Sequence, residues 1–362
     1  MKIFYIDPQS YNNLADYDKY LLENIDEQKV FFCSQNMPYG KIDKTKIIRL
    51  YNYQSKKNIF KIISYLSSQT KLLRLIKREK PHIIHFQWFK IPIFDFLLLR
   101  VIKRKYKNTK IIHTAHNVLP HDSGAKYKNV YKKIYHFVDK IIVHAEVTRQ
   151  EIITDFGIDE NKISVIPHGY LPARHRFDRT ENKKKKITFS FIGFLSDYKG
   201  LDILLDAWCS NSELLNSDLC RLIIAGAGDL PCLKTIPSGK NIVLENYFHT
   251  EEDLAKIISE TDVAILPYRK ISQSGVLLTY LAEHIPVIVS NIGGLTQPFE
   301  KGNVGWILNE LSSDSLANIL LNVIKVSDQL QVIKNNNALW SRIDEFYDWK
   351  SIGQKTQKLY ES

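Results

Sequence analysis

A small polar turn, Ser272-Gln273-Ser274-Gly275, sits between an apolar run, Val263 to Leu266, and the helical stretch Val276 to Ala282. At a helix start the first backbone N–H groups have no partner within the helix, and the helix dipole favours negative charge there. Such a turn suits a phosphate group. By itself such a turn is more often an ordinary helix cap. A second loop, Gly193 to Gly200, follows the apolar run Phe189 to Ile192 and contains Lys199. Gly193 lets backbone approach a bound group closely, and Lys199 can meet phosphate as a point charge. Gly226-Ala227-Gly228-Asp229 follows Leu222 to Ala225 as a third loop of the same kind. Three permissive loops, one with a lysine, point to a nucleoside diphosphate.

These loops need a frame that brings them to one edge. Short apolar runs alternate with helical stretches along the whole chain. Lys2–Ile6, Ile83–Phe86, Lys110–Thr114, Lys140–Val143 and Ser164–Ile166 read as one series of parallel strands. Ile187–Ile192, Arg221–Ala225, Ile242–Leu244, Val263–Leu266 and Val287–Ser290 read as a second. This patterning predicts an α/β protein with two doubly wound, Rossmann-like parallel sheets, in which ligands bind outside the carboxyl ends of the strands. The polar stretch 172–186, ending in four lysines, reads as the linker. The expected organisation is an N-terminal domain over 1–171 and a C-terminal domain over 187–340.

With 44% hydrophobic and 25% charged residues, the composition is that of a globular protein, and no apolar run approaches a membrane span. The N-terminus reads as a strand and not as an export signal, and four scattered cysteines lack metal-ligand spacing. Both features point to a cytoplasmic protein. The net charge of +11 comes from residues 1–170, the remainder being close to neutral. No nucleic-acid module accompanies it. Two basic amphipathic stretches, 56–80 and 94–110, hold much of the excess and suit an anionic membrane surface, or a solvated outer face.

The segments ISVIPHGY, FSFIGFLSDYKGLDILLDAW, LIIAGAGDL and AILPYRKISQSGVLLTYLAEHIPVIVSNIGGL resemble the motifs of family 4 retaining glycosyltransferases, in particular bacterial enzymes of capsule, exopolysaccharide or lipopolysaccharide assembly. His113-Thr114-Ala115-His116-Asn117 is similar to the family's histidine loop. Phe346-Tyr347-Asp348-Trp349 is similar to its closing motif, after which a final helix, 341–362 with its approach, returns to the N-terminal domain. The resemblance implies the GT-B fold, two Rossmann-like domains facing across a cleft, with a nucleotide-sugar held by the C-terminal domain and a glycan or lipid-linked acceptor by the N-terminal one. It implies retention of anomeric configuration and no bound metal or other cofactor. His116 would contact the donor sugar. Lys199, with Gly193, Ser274, Gly275 and Val276, would stabilise the departing diphosphate.

Departures from the family pattern are equally specific. Two glutamates usual around the phosphate turn are replaced here by Ile271 and Thr279. Gln273 becomes the candidate for sugar hydroxyls, and Thr279 or Glu283 for the ribose. An arginine usual near the glycine loop is absent, which makes Arg269 a candidate replacement. Tyr247 and Phe248 lie where the family accommodates the base. On the acceptor side Gln9, Trp88 and Asp122 fall at strand ends, where each could touch a sugar or simply pack. The resulting expectation is a metal-independent retaining transferase at the cytoplasmic membrane face. A silent nucleotide-sugar-binding partner and a nucleotide-sugar isomerase are the alternatives that the lost carboxylates keep open.

Overall fold

A computed structural model describes residues 1–11, 13–52, 58–119, 124–171, 177 and 186–362. Most of the expected linker, the 56–57 end of the first basic stretch and Asp122 lie outside these residues. The described chain forms two compact units, one of Met1–Gly169 with Tyr347–Ser362 and one of Tyr170–Phe346.

The first unit is a seven-stranded sheet. Its strands are β1 (Lys2–Asp7), β2 (Gln28–Ser34), β3 (Thr45–Tyr51), β4 (Ile83–Phe86), β5 (Lys110–Thr114), β6 (Lys140–Val143) and β7 (Ile163–Val165). They lie in the order β3-β2-β1-β4-β5-β6-β7, every pair parallel. The second unit carries β8 (Ile187–Ile192), β9 (Cys220–Ala225), β10 (Ile242–Glu245), β11 (Val263–Leu266), β12 (Val287–Ser290) and β13 (Gly305–Leu308). Their order is β10-β9-β8-β11-β12-β13, again all parallel. The expected α/β class with two Rossmann-like sheets is what the chain forms.

Strands β4, β11 and β12 are buried throughout, as central parallel strands covered on both faces must be. Three further strands, β2, β3 and β13, were not anticipated. β2 hides Lys29 at 2% exposure among its apolar residues, with the ammonium donating to Ile25 O. β3 is an edge strand with Lys46 and Arg49 turned outward, and β13 opens on a glycine. None of the three reads as a clean apolar run.

Each order reverses once, between β1 and β4 and between β8 and β11. At such a switch point the crossovers leave in opposite directions and open a crevice at the strand ends. The loops after β1, β4 and β5 therefore meet in the first unit, and those after β8 and β11 in the second.

The boundary falls at Gly169, earlier than the expected 172–186, and residues 341–346 stay with the second unit. Side chains explain why. Tyr170 donates to Asp344 Oδ1 at 2.9 Å, His284 Nε2 lies 3.1 Å from the same carboxylate, and Arg342 Nε donates to Lys301 O at 3.0 Å. The last helix, Trp349–Glu361, packs in the first unit. Asp348 caps it by accepting from Ser351 N, and Trp349, Ile352, Leu359 and Tyr360 join the core around β1 and β2. Gly353 is required there, because a Cβ would lie 2.1 Å from Asn24 O.

Candidate functional site

In the second unit β8 runs out at Ile192 into Gly193, which takes φ +104 and donates to Ala225 O at 2.9 Å. A side chain at Gly193 would be strained and its Cβ would sit 2.7 Å from Lys199 Nζ and 3.5 Å from Val276 Cγ2. The glycine loop, the lysine and the start of the helix Gly275–Ala282 thus converge on one point. Lys199 is held there by a short helical turn, Asp197–Lys199, closed by Gly200 in the left-handed conformation.

Lys199 is only 6% exposed, and burial lowers its pKa to about 8. Among the described residues no carboxylate pairs with it; its ammonium lies 5.8 Å from the centre of the Tyr268 ring. A buried cation without a counter-charge is costly, and the cost falls as soon as an anion arrives. Ser274, 4% exposed, caps the helix by accepting from Leu277 N at 3.2 Å and also hydrogen-bonds Tyr268. The N–H groups of Gly275 and Val276 open the helix and have no acceptor within it. Such an arrangement of a buried ammonium and open helix amides suits an anion.

The other residues expected around this point are placed less simply. Arg269, the candidate replacement cation, is paired with a carboxylate in this structure. Its guanidinium makes a fork with Asp202, at 2.8 and 2.6 Å, and donates to Asp197 O at 2.7 Å. It braces the Lys199 turn from behind. Thr279 turns its hydroxyl onto Gly275 O and Leu171 O, both at 3.0 Å, so its one donor hydrogen is shared between backbone carbonyls and only its acceptor lone pairs remain. Glu283 ends the helix as a half-buried cap residue. Gln273 is half-buried beside Gly294, and its amide Nε2 has no partner among the described residues. Tyr247 stacks on His249 at 4.1 Å, with Glu245 Oε2 accepting from Tyr247 at 3.2 Å, while Phe248 is 89% exposed.

In the first unit the loops after β4 and β5 bring Gln87, Trp88 and His116 together. Trp88 stacks on His116 at 4.9 Å with the rings 8° from parallel, and Tyr17 meets the imidazole edge-on at 4.8 Å. The indole N–H of Trp88 is buried without a partner among the described residues. A small pocket here is lined by Gln87, Trp88, His113, Thr114, His116 and Tyr131.

Sequence reading did not find the partners of His116. Its Nδ1 lies 3.1 Å from His144 Nε2, and its Nε2 lies 2.9 Å from the Gln87 amide. His144 Nδ1 is 2.9 Å from Ile166 O, which can only accept, so the proton is on Nδ1. Burial holds His144 down to about 4 and His116 well below its ordinary value, the neighbouring histidines adding to the effect. Both rings are therefore neutral at pH 7. His144 Nε2 then accepts from His116 Nδ1–H, leaving His116 Nε2 bare. A bare nitrogen pairs with a donor, so the Gln87 amide presents its NH2 to His116 and its oxygen to His85 Nε2 and Thr114, 3.0 and 3.4 Å from its other end. His85, held near 3 by burial, accepts from Tyr360 at 2.6 Å. The chain of bonds is complete without any charge.

Asp7 and Asp18 form a second unforeseen group at the end of β1. Both are 1% exposed, and burial raises both carboxyls, Asp18 further through the Asp7 charge. Tyr5 donates to Asp18 at 2.8 Å, and Gln9 N donates to Asp7 at 2.6 Å, fixing the loop that carries Gln9. Lys90 Nζ lies 3.3 Å from Gln9 Oε1. Among the described residues no cluster of three or more His, Cys, Asp and Glu is arranged to hold a metal ion.

Comparison with known proteins agrees with this layout. Residues 29–174 match the profile of Glycosyltransferase Family 4, and residues 186–325 match that of Glycosyl transferases group 1. An uncharacterized glycosyltransferase of Methanocaldococcus jannaschii is 26% identical over 258 residues, 66% of this chain; the chain spans 64% of that relative. The UDP-Gal:alpha-D-GlcNAc-diphosphoundecaprenol alpha-1,3-galactosyltransferase of Escherichia coli is 26% identical over 322 residues, 83% of this chain and 80% of that one. Among solved structures, Anabaena HepE in complex with UDP and glucose superposes with a TM-score of 0.73 over 100% of both chains at 14% identity, a likeness of fold.

Proposed function

The chain belongs to glycosyltransferase family 4, and from that premise we propose that it moves a hexose from a nucleoside-diphosphate sugar to a lipid-linked or growing glycan acceptor. The observation that carries the donor half is Lys199, a buried cation with no counter-charge among the described residues, facing Gly193 and the opening of the helix Gly275–Ala282. A diphosphate supplies the missing charge, and its growing charge as the sugar departs is what the ammonium and the amides of Gly275 and Val276 stabilise.

The proposed course is retaining and independent of metal. The leaving phosphate takes the acceptor proton on the face it departs from, so the protein supplies position and charge instead of a general base. A neutral His116, committed on both nitrogens, fits a positioning part in that course. Gln273, with a buried amide to spare, is the proposed contact for sugar hydroxyls, and Tyr247 and Phe248 for the base. Gln9 and Trp88 are the proposed acceptor contacts.

The Escherichia coli relative is named for UDP-Gal and a diphosphoundecaprenol-linked GlcNAc. A UDP-hexose and a polyprenyl-diphosphate sugar are accordingly the proposed substrates, in cell-surface polysaccharide assembly at the cytoplasmic face of the membrane. Purified protein would be incubated with UDP-, GDP- and dTDP-sugars, with and without polyprenyl-diphosphate-GlcNAc, with or without EDTA. Acceptor-dependent nucleotide release, an axial product anomer by NMR from an axial donor, and no loss with EDTA are expected. Sugar interconversion without acceptor would replace the proposal with an isomerase, and donor binding without turnover would replace it with a silent partner.

A further inference from the structure

Large apolar side chains are exposed unevenly over this protein. On the helix Asn58–Glu79 they are Ile59, Phe60, Ile62 and Ile63, exposed by 58, 53, 38 and 54%. On the helix Pro92–Lys105 they are Ile93, Phe94, Leu97 and Val101, exposed by 52, 39, 47 and 36%. The N-terminal halves of these helices are side by side. Asp95, buried between them, accepts from Tyr65 and, at 3.0 Å, from Gln69. Tyr65 is two residues past Ile63, and Asp95 stands between Phe94 and Leu97.

Both outer faces change character along the helix in the same direction. Past the apolar turns the exposed residues of the first helix include Lys71, Arg74 and Lys77, and those of the second Arg100, Arg104 and Lys105. None of these six cations is ion-paired among the described residues. Each helix follows a strand of the parallel sheet, β3 or β4, so both apolar ends lie toward the carboxyl edge of that sheet. That edge also carries Gln9, Gln87, Trp88 and His116. Only Phe89, Lys90, Ile91 and Pro92 separate Trp88, stacked on His116, from Ile93.

We infer that the paired N-terminal ends of these helices are an insertion surface for an anionic lipid bilayer, the apolar turns entering the interface and the unpaired cations meeting the headgroups behind them. Adjacent apolar and cationic zones on a helix are what interfacial binding requires, whereas a protein partner matched to the apolar zone alone leaves six cations unanswered. The surface depends on neither the donor seat nor the transfer reaction. It would hold the His116 edge at the depth of a membrane-borne acceptor's headgroup.

Full-length protein would be floated with phosphatidylcholine vesicles and with vesicles containing phosphatidylglycerol, at low and physiological salt. The double variant Phe60→Ser, Phe94→Ser alters only exposed side chains. The wild type is expected to bind phosphatidylglycerol vesicles, to keep a measurable share of that binding at physiological salt, and to lose at least tenfold in partition in the variant. Nucleotide binding and thermal unfolding should be the same in both. Absence of wild-type binding at low salt, or equal binding by the variant, would overturn the inference. So would a wild-type dimer in sedimentation that the double variant converts to monomer, since the surface would then be an interface between copies.

Discussion

The two units share one architecture yet solve opposite electrostatic problems at their switch points. In the first, three imidazoles, a glutamine and a tyrosine satisfy one another through neutral hydrogen bonds, and burial raises the carboxyls of Asp7 and Asp18. In the second, a lysine is buried with no carboxylate paired to it among the described residues, and a helix opens its amides toward the same point. A completed network keeps its shape whether or not a ligand is present. An uncompensated cation stores an interaction that only an anion can collect. The first unit thus presents a fixed surface, and the second leaves a charge that an anion would complete.

The comparison breaks most visibly at Lys199. Lys199→Ala removes the uncompensated charge, and transfer should fall by about 10²- to 10³-fold, the scale found on removing one group that stabilises developing charge. The same change relieves the burial cost, so thermal unfolding at pH 7 should show the variant as stable or more stable, by about 1–3 kcal/mol. A less drastic test is Gly193→Ala, which forces φ +104 on a side-chain-bearing residue and puts a Cβ 2.7 Å from the ammonium. Titration calorimetry should show roughly tenfold weaker nucleotide-diphosphate binding, about 1.4 kcal/mol.

On the other side of the comparison, His144→Ala strands His116 Nδ1–H in a buried setting and should cost about 1–3 kcal/mol of stability. Nitrogen-15 spectra of the imidazoles should then show His116 as a mixture of tautomers, where the intact protein shows Nδ1–H alone. Donor affinity should not change. The smallest effect belongs to Thr279→Val. Its one donor hydrogen already goes to the Leu171 and Gly275 carbonyls and cannot be offered to a ligand, so the donor KM should stay at the wild-type value while stability falls by about 1 kcal/mol.

What could be read from the chain alone follows the same division. The proposed donor seat is local: Gly193 and Lys199 share one loop, and Ser274 to Val276 are consecutive, so types and spacing carried the expectation. The strands that frame it are short apolar runs and were legible for the same reason. The network around His116 is not local. His144 and Gln87 lie 28 and 29 residues from it and reach it only through the parallel register of β4, β5 and β6. Asp18 reaches the end of β1 from a helix. The ion pair of Arg269 was not legible because its partner, Asp202, is 67 residues away, and a cation at a strand end looks the same with or without one. β2 and β3 escaped notice because Lys29 and Arg49 interrupt their apolar pattern.

We propose that the Lys199 ammonium stays uncompensated until a diphosphate arrives. Its pKa is near 8 when folded and empty, below the ordinary 10.5, so the folded state disfavours the charged form. Between about pH 8 and 10.5 the unfolded chain binds the extra proton, and stability from this group rises with pH across that window. A bound anion should restore the pKa toward its ordinary value. Calorimetry of UDP, GDP and dTDP binding at pH 8.5, in buffers of different ionisation enthalpy, measures the protons exchanged. Uptake approaching one proton per nucleotide bound, absent in Lys199→Met, is the predicted result. Binding with no proton uptake, or with the same uptake in Lys199→Met, would contradict the account.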